Sequence, residues 1–499
     1  MGQLFPQPTA PRASGAGRRI YGLLRAQIAD GTLPGGARAP STRALAAELG
    51  VSRTTVTAAY EQLAAEGFLV TAPGRAARIA GHRGPQRSGL PPAAAAAATQ
   101  PSAPALSAYG RRVRDAVLSA LPPSAPARYD FLYGAVAGRD FPALAWRRAW
   151  QAGLLRPQPA LYYAPPEGDP ALRRALQGYL RRARGITCDA QQILIVHGSQ
   201  QAIDLCARLL LDAGDAFAFE DPGYLMARRS CEATGARLHP VPVDALGLDT
   251  AHLPEGDPRV RLAYVTPSHQ FPLGGVLPIG RRMELLAWAR RCGAWILEDD
   301  YDGEFRYGQR PIDALQSIDT EGRVIYAGTF SKALSPQIRL GYLVLPPALV
   351  PVFRQAKRLA DRHAPVLEQQ ALAAFIDSGQ YERHVRRMRR THERRRAALE
   401  EAVARHLPAG AQIAGTAAGL HAVLWLPFLW PRHEALVADA ARSEGVGVYP
   451  LSPLFAREPT QPPRPAGLIL GYASLSPEEI AQGVEILGRC VAAVARQQG

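Results

Sequence analysis

Gly328-Thr329-Phe330-Ser331-Lys332 closes an apolar run, Val324-Ile325-Tyr326, that reads as a buried strand. Lysine occurs only twice in the 499-residue chain, here and at Lys357, although lysine and arginine together number 58. Arginine has replaced lysine almost everywhere else, as compositional drift across a genome produces. An arginine cannot surrender its proton and attack an aldehyde, whereas a lysine amine can once its pKa is lowered. A lysine kept beside the hydroxyls of Thr329 and Ser331 is therefore a candidate for Schiff-base chemistry with an aldehyde cofactor. Lys357 reads as a surface lysine that escaped replacement.

Working outward, further strand-like runs alternate with amphipathic helices from about residue 128 to the end: Ile193–Val196, Ala216–Glu220, Leu262–Thr266, Ala294–Glu298 and Leu340–Leu345. That alternation predicts an α/β domain with a mainly parallel sheet. Polar groups follow several of these runs. Glu298-Asp299-Asp300-Tyr301-Asp302 places a carboxylate where it can pair with a protonated ring nitrogen, and Tyr301 where it can reach a ring oxygen. His197-Gly198-Ser199-Gln200-Gln201 opens an apolar helix, whose free N–H groups suit a phosphate. Tyr224, in Glu220-Asp221-Pro222-Gly223-Tyr224, can stack on a ring, and Arg339 can grip a phosphate with two parallel hydrogen bonds. A lysine, a counter-charge, an aromatic lid, a hydroxyl partner and a phosphate cup are what pyridoxal 5'-phosphate requires.

The N-terminal zone, about residues 15–82, has a different grammar. Arg18 to Asp30 is an amphipathic helix; Ser41 caps a second, Thr42 to Leu49; Ser52 caps a third, which runs to Glu66. Val56, Ala59, Tyr60 and Leu63 form the buried stripe of the third helix. Two short strands, Phe68–Thr71 and Ala77–Ala80, flank a Pro73-Gly74-Arg75 tip. Three helices and a hairpin make a winged helix-turn-helix, whose last helix enters the DNA major groove. The first 87 residues hold 11 arginines and 4 acids, so they carry +7 of the chain's +15. Arg43, Arg53 and Arg75, with Ser52, Thr54 and Thr55 at the start of the third helix, are the expected DNA contacts. Between the zones, residues 83–127 are rich in Pro, Ala and Ser and read as a linker.

The overall charge and a pI near 10 favour a polyanionic partner. Five scattered cysteines (Cys188, Cys206, Cys231, Cys292, Cys490) contain no C-x-x-C pair, which argues against a disulfide framework or a zinc site and fits a reducing cytoplasm. No apolar signal core or membrane-length apolar run is visible, so the expectation is a soluble cytoplasmic protein. The stretch Arg383 to Arg396, with eight arginines in fourteen residues, reads as a solvated helix face or a partner for acids on a neighbouring subunit, in preference to an extension of the DNA footprint.

Residues 18–80, with Ala39-Pro40-Ser41-Thr42-Arg43 and Leu49-Gly50-Val51-Ser52-Arg53-Thr54-Thr55-Val56, resemble the DNA-binding domain of GntR-family regulators. Residues of about 130 to 495 resemble the type I aminotransferase fold, through the motifs above, Tyr163-x-x-Pro166-x-Gly168 and Thr266-Pro267-Ser268-His269-Gln270-Phe271-Pro272-x-Gly274. The Ser-His-Gln-Phe-Pro and Glu-Asp-Asp-Tyr-Asp forms are similar to those of MocR-type (GabR-like) regulators, which join the two domains in this order. The resemblance implies three segments: 15–82 for DNA binding, 83–127 as linker and 128–499 as the pyridoxal phosphate domain. It implies an internal aldimine at Lys332, with Asp299 on the pyridine nitrogen, Tyr301 on the ring oxygen and Tyr224 stacking. Ser199, Gln200, Thr329 and Arg339 would surround the phosphate, and Gln270 or His269 would lie near the ring oxygen. Head-to-tail homodimers are also implied.

One departure concerns substrate. Type I aminotransferases carry an arginine shortly before the final short strand to clamp the amino-acid carboxylate, and Ile469 falls about there; Arg457 or Arg464 is a possible substitute. The resulting expectation is a regulator that binds a double-stranded operator and senses pyridoxal phosphate or an amino compound. The alternatives are an active aminotransferase with a DNA-binding appendage, and a DNA-binding protein whose large domain serves only to dimerise.

Overall fold

In the computed structural model, which describes residues 15–72, 75–81, 105–116, 127–156, 162–307, 312–456 and 464–498, two serines start the N-terminal helices. Helix α1 (Ala16–Ala29) precedes α2 (Thr42–Leu49) and α3 (Arg53–Ala65). Ser41 Oγ accepts the Ala44 N–H at the start of α2, and Ser52 Oγ accepts the Thr55 N–H at the start of α3. Each such cap is worth about 1 kcal/mol relative to alanine. Gly50 ends α2 with φ 63°, a left-handed conformation that glycine adopts without strain. Ile20, Leu24, Leu45, Val56, Ala59, Tyr60 and Leu63 close a small core against β1 (Leu69–Val70) and β2 (Arg78–Ile79). The antiparallel β1–β2 pair is shorter than the sequence predicts, because β2 also bonds residues 36–39: Ile79 N–H donates to Ala37 C=O, and Ala39 N–H donates to Ala77 C=O. The Pro73-Gly74 tip lies outside the described residues.

The chain divides into two units, Met1–Pro104 and Ala105–Gly499. The second begins with α4 (Ala108–Asp115), a helix inside the stretch that reads as linker. The Arg112 guanidinium donates to the carbonyls of Ala233 and Thr234 at 2.7 and 2.8 Å. Those carbonyls end a helix and would otherwise lack partners. Residues 83–104 of that stretch, with six consecutive alanines at 93–98, lie outside the described residues.

Strand β3 (Tyr129–Asp130), helices α5 (Ala143–Leu154) and α6 (Pro170–Arg184), and β4 (Ile193–Val196) lead into the main sheet. Then follow α7 (Gly198–Leu210), β5 (Ala216–Asp221), α8 (Leu225–Ala233), β6 (Arg237–Asp244), β7 (Gly247–Leu248), β8 (Val260–Val265), α9 (Ile279–Cys292), β9 (Trp295–Asp300), β10 (Val324–Thr329) and β11 (Gly341–Val344). The eight strands lie in the order β4-β11-β10-β9-β8-β5-β6-β7. Neighbours from β10 through β6 are parallel, and β11 runs antiparallel to both β10 and β4. β4, β10 and β11 are buried along their whole length, as a sheet covered by helices on both faces requires.

Helices α10 (Val350–Asp361), α11 (Val366–Asp377) and α12 (Gln380–His406) lead to a smaller layer. There β12 (Gln412–Ala414), β13 (His421–Leu426), α13 (Glu434–Ser443), β14 (Val446–Gly447), β15 (Tyr449–Pro450), β16 (Ala466–Gly471) and α14 (Pro477–Gln498) complete the chain. An antiparallel sheet in the order β12-β13-β16-β15 packs its apolar side on α12, α13 and α14. Among the described residues no helix is long and apolar enough to cross a membrane.

Two expectations are corrected here. Lys357 is not a surface residue: its side chain is fully buried on α10 and ion-paired to Asp361. The basic stretch of α12 is only partly a solvated face. Arg395 is buried on Asp140 and the Ala473 carbonyl, Arg389 donates to the Glu304 carbonyl, and Arg396 covers the Tyr307 ring. One side of a helix so rich in arginine must face the core, and those guanidiniums take up carbonyls that would otherwise lack donors.

Candidate functional site

The carboxyl ends of β4, β5, β8, β9 and β10 point the same way, which is where an open parallel sheet collects ligand-binding groups. A pocket of about 240 Å³ lies there, lined among others by Ser199, Gln200, Tyr224, Asp299, Tyr301, Thr329, Lys332 and Arg339. Eight residues singled out in the sequence thus converge from four separate segments.

Lys332 enters from the turn after β10, and its Nζ donates to the Gly134 carbonyl at 2.8 Å. Gly134 has φ 84°, and a Cβ there would lie 2.6 Å from Nζ, so the backbone can approach the amine only as glycine. Loss of hydration and the charge of Arg339 push the Lys332 pKa down, while Asp302 and Asp299 oppose the shift.

Asp299 is buried at the end of β9. Its Oδ2 accepts the Tyr264 hydroxyl at 2.7 Å, and its Oδ1 has no hydrogen-bond partner among the described residues. Burial, helped by the charges of Asp300 and Asp302, holds the carboxyl up at about 7, although the Tyr264 bond and Lys332 pull it down. A buried carboxylate oxygen without a donor is costly. In a pocket wall it marks a place where a ligand N–H belongs.

Tyr301 OH lies 2.9 Å from His269 Nδ1, and the same nitrogen lies 2.9 Å from Asp302 Oδ2. Burial lowers the His269 pKa, but the adjacent Asp302 charge and hydrogen bond outweigh it and leave the imidazole raised. His421, from β13, faces the same space with its Nε2 on the Pro272 carbonyl; burial pushes it down to about 4. Tyr224 meets Phe271 edge-on with ring centres 5.8 Å apart.

The phosphate-cup candidates sit together. Ser199 and Gln200 begin α7, and Thr329 Oγ1 bonds Ser331 Oγ at 3.0 Å. Arg339 has φ 53°, unusual for a residue with a Cβ, and donates to the His197 carbonyl at 2.8 Å. That guanidinium lies against Gly198, where a Cβ would come within 3.0–3.2 Å of it. The αL backbone costs roughly 1–2 kcal/mol, which the surrounding contacts must offset.

Gln270 departs from expectation. Its amide faces away from the pocket, donating to Glu220 Oε2 at 3.2 Å and the Pro222 carbonyl at 2.9 Å. Glu220 is buried and needs donors; Thr266 and Gln270 supply them. Phe271 takes the pocket-facing position, and His269 touches the site through Tyr301 and Asp302. Tyr163 is exposed, with the Arg362 guanidinium 4.3 Å above its ring.

Lining residues to which sequence reasoning gave no role are Tyr133, Gly134, Tyr264, Phe271, Asp302, Pro336, Leu420 and His421. Tyr264 carried a faint signal, as a hydroxyl in an otherwise apolar buried strand. His421 and Leu420 come from the smaller layer and had no local motif to betray them. Ile469 is fully buried among Val423, Leu225, Leu451 and Leu454. Arg464 is also buried, bonded to Glu434 Oε1 at 2.6 Å and Ser452 Oγ at 2.7 Å, and Arg457 lies outside the described residues. Among the described lining residues, Arg339 is the sole arginine.

In the N-terminal unit, Arg43, Ser52, Arg53, Thr54 and Arg75 are exposed and Thr55 is half-buried. Ser52 Oγ bonds both threonine hydroxyls, at 2.8 and 2.7 Å, so the three form a cap at the head of α3.

Comparison with known proteins agrees with this division. The model of bacterial regulatory proteins of the gntR family matches residues 16–79, and that of aminotransferase class I and II matches residues 134–487. The probable rhizopine catabolism regulatory protein MocR of Rhizobium meliloti is 37% identical over 478 residues, spanning 94% of this chain and 92% of its own. The HTH-type pyridoxine biosynthesis transcriptional regulator PdxR of Corynebacterium glutamicum is 33% identical, over 86% of each chain. Among solved structures, LysN, the α-aminoadipate aminotransferase of Thermus thermophilus complexed with N-(5'-phosphopyridoxyl)-L-leucine, matches with a TM-score of 0.66 and 30% identity, covering 77% of this chain and 95% of LysN.

Proposed function

As a member of the MocR-type regulators, with a GntR-family DNA-binding domain joined to an aminotransferase class I and II domain, this chain is a pyridoxal-phosphate-dependent transcriptional regulator, and we propose that it senses pyridoxal phosphate or an amino compound at Lys332. The observation that carries the site is the pairing of a depressed lysine amine with the partnerless Oδ1 of Asp299 in one pocket.

The residues fit the cofactor. Asp299 would meet its ring nitrogen, Tyr301 its ring oxygen and Tyr224 its face. Ser199, Gln200, Thr329 and Arg339 would surround its phosphate. When bound, the cofactor supplies an electrophilic carbon and an electron sink. This chain's groups do the rest. Tyr264 holds Asp299 by one oxygen and leaves the other free to accept. The His269–Asp302 pair orients the Tyr301 hydroxyl. Burial and Arg339 lower the Lys332 pKa, which favours loss of the proton that the amine must shed to react.

Sensing is favoured over efficient transamination because Ile469 is sealed in an apolar cluster and Arg464 is committed to Glu434. A missing bidentate clamp on the substrate carboxylate removes several kcal/mol of binding and orientation. We further propose a cytoplasmic homodimer in which ligand exchange at Lys332 changes operator affinity. Such coupling is typically about 1–3 kcal/mol.

The test is the visible absorption spectrum of purified protein with added pyridoxal phosphate, for wild type and Lys332→Ala. A cofactor band in wild type that vanishes in the variant supports the site. No band in either overturns the sensing proposal and leaves the large domain as a dimerisation scaffold.

A further inference from the structure

Lys357 is one of only two lysines in the chain, and it is the more deeply buried. Other basic residues of α10, such as Arg354 and Arg358, are partly or fully exposed. The buried position is the one that has kept a lysine, whose ammonium is a compact point charge where a guanidinium needs a broad planar slot. Its Nζ lies 2.6 Å from Asp361 Oδ1 one turn along the helix.

Asp361 turns its other oxygen toward the head of α7. Oδ2 accepts the Gln201 side-chain N–H at 2.7 Å and lies 3.1 Å from His197 Nε2. Gln201 closes the loop, because its Oε1 accepts the His197 backbone N–H at 2.9 Å. The His197 carbonyl in turn accepts the Arg339 guanidinium at 2.8 Å. An unbroken chain of hydrogen bonds therefore runs from Lys357 through Asp361, Gln201 and His197 to Arg339. None of Lys357, Asp361 and Gln201 lines the pocket.

This chain holds two parts of the phosphate cup in register. One is the amino end of α7, whose N-cap residue is His197. The other is Arg339, whose left-handed backbone has to be imposed by its surroundings. Resting on the cofactor reading above, we propose that Lys357 and Asp361 are positioning residues for the phosphate group of the cofactor: an ion pair behind the cup that fixes His197 and, through its carbonyl, Arg339. The brace acts on the phosphate end alone. Lys332, Asp299, Tyr301 and Tyr224, which face the ring, have no hydrogen bond to it.

That separation supplies the test. Full-length wild type, Asp361→Asn and Lys357→Met are titrated with pyridoxal phosphate and, separately, with pyridoxal, which lacks the phosphate. Affinities are read from the Lys332-dependent absorption band, and thermal midpoints are recorded alongside. Both variants should lose affinity for pyridoxal phosphate by about tenfold, the scale on which loss of an orienting partner behind a binding group is felt. Affinity for pyridoxal should stay at the wild-type value. A preference for the phosphorylated form equal to that of wild type overturns the brace, whatever happens to the thermal midpoint, because it reduces the pair to a structural one. Asp361→Asn keeps the shape and one acceptor oxygen, so the comparison survives if Lys357→Met does not fold. A wild type with no band overturns the cofactor reading itself, and the brace with it.

Discussion

Tyr264 donates its phenolic hydrogen to one oxygen of Asp299 at 2.7 Å, and the second oxygen of that buried carboxylate has no donor among the described residues. The two residues stand on neighbouring parallel strands, β8 and β9, so the sheet itself aims the free oxygen into the pocket. Tyr264→Phe should weaken pyridoxal phosphate binding by roughly tenfold or more, since a hydrogen bond to a charged group contributes about 1.5–3 kcal/mol. Asp299→Ala should weaken it further. Titration followed by absorbance checks both, and unchanged affinity in Asp299→Ala would remove Asp299 from the site.

The same carboxyl makes the stability of the ligand-free protein depend on pH. Its pKa is raised from 3.8 to about 7, chiefly by burial, so the folded state holds a proton that the unfolded state has lost. The stabilising preference is complete below pH 4 and disappears as pH rises through 7. Asp299→Asn cannot ionise, and so its stability relative to wild type should improve by about 2 kcal/mol between pH 5.5 and pH 8. Thermal or urea unfolding at the two pH values measures this. An unchanged difference between the two pH values would mean that Asp299 is already ionised below pH 5.5.

Arg43 and Arg53 are exposed at the heads of α2 and α3. Replacing either with alanine should weaken operator binding by about 1–3 kcal/mol where it reads a base, or lower the salt slope by about one where it holds a phosphate. Affinity measured over a range of salt concentrations distinguishes the two. If neither substitution has any effect, α3 is not the recognition helix.

Arg184 and Asp300 form a buried ion pair at 2.6 Å behind the site, and Tyr326 also bonds Asp300. Arg184→Ala strands the carboxylate in the core and should cost about 3–5 kcal/mol in equilibrium unfolding. A loss below 1 kcal/mol would show that water reaches Asp300 when the guanidinium is gone.

With Ile469 sealed and no arginine but Arg339 among the described lining residues, amino-acid donors should turn over slowly. The expected deficit in kcat/KM is about 100-fold or more relative to an enzyme with a carboxylate clamp. Single-turnover spectroscopy with several donors tests it, and rapid turnover of any α-amino acid would favour the transaminase reading.

Much of this site was legible because strands and their ends announce themselves locally. An apolar run followed by a polar cluster places the cluster at a strand's carboxyl end, which is how Asp299, Tyr301, Ser199 and Lys332 could be found before any fold was known. Capping serines and a period of 3.6 likewise gave α2 and α3 nearly to the residue. Where two adjacent residues compete for one direction, local pattern is silent. Gln270 was expected in the pocket, but buried Glu220 claims its amide, and Phe271 lines the pocket instead.

The linear order of residues was enough for the two-domain plan, the parallel sheet and the choice of Lys332 as the candidate reactive lysine, because these follow from periodicity and from side-chain chemistry that no other residue can supply. Packing alone determined the rest. Lys357 looked like a stray surface charge until α10 folded it against Asp361 beneath the head of α7. His421 joins the site from a strand 89 positions beyond Lys332, in a separate layer. Such partners are chosen by desolvation, which depends on what the rest of the chain brings within a few ångströms and leaves no mark in the neighbouring sequence.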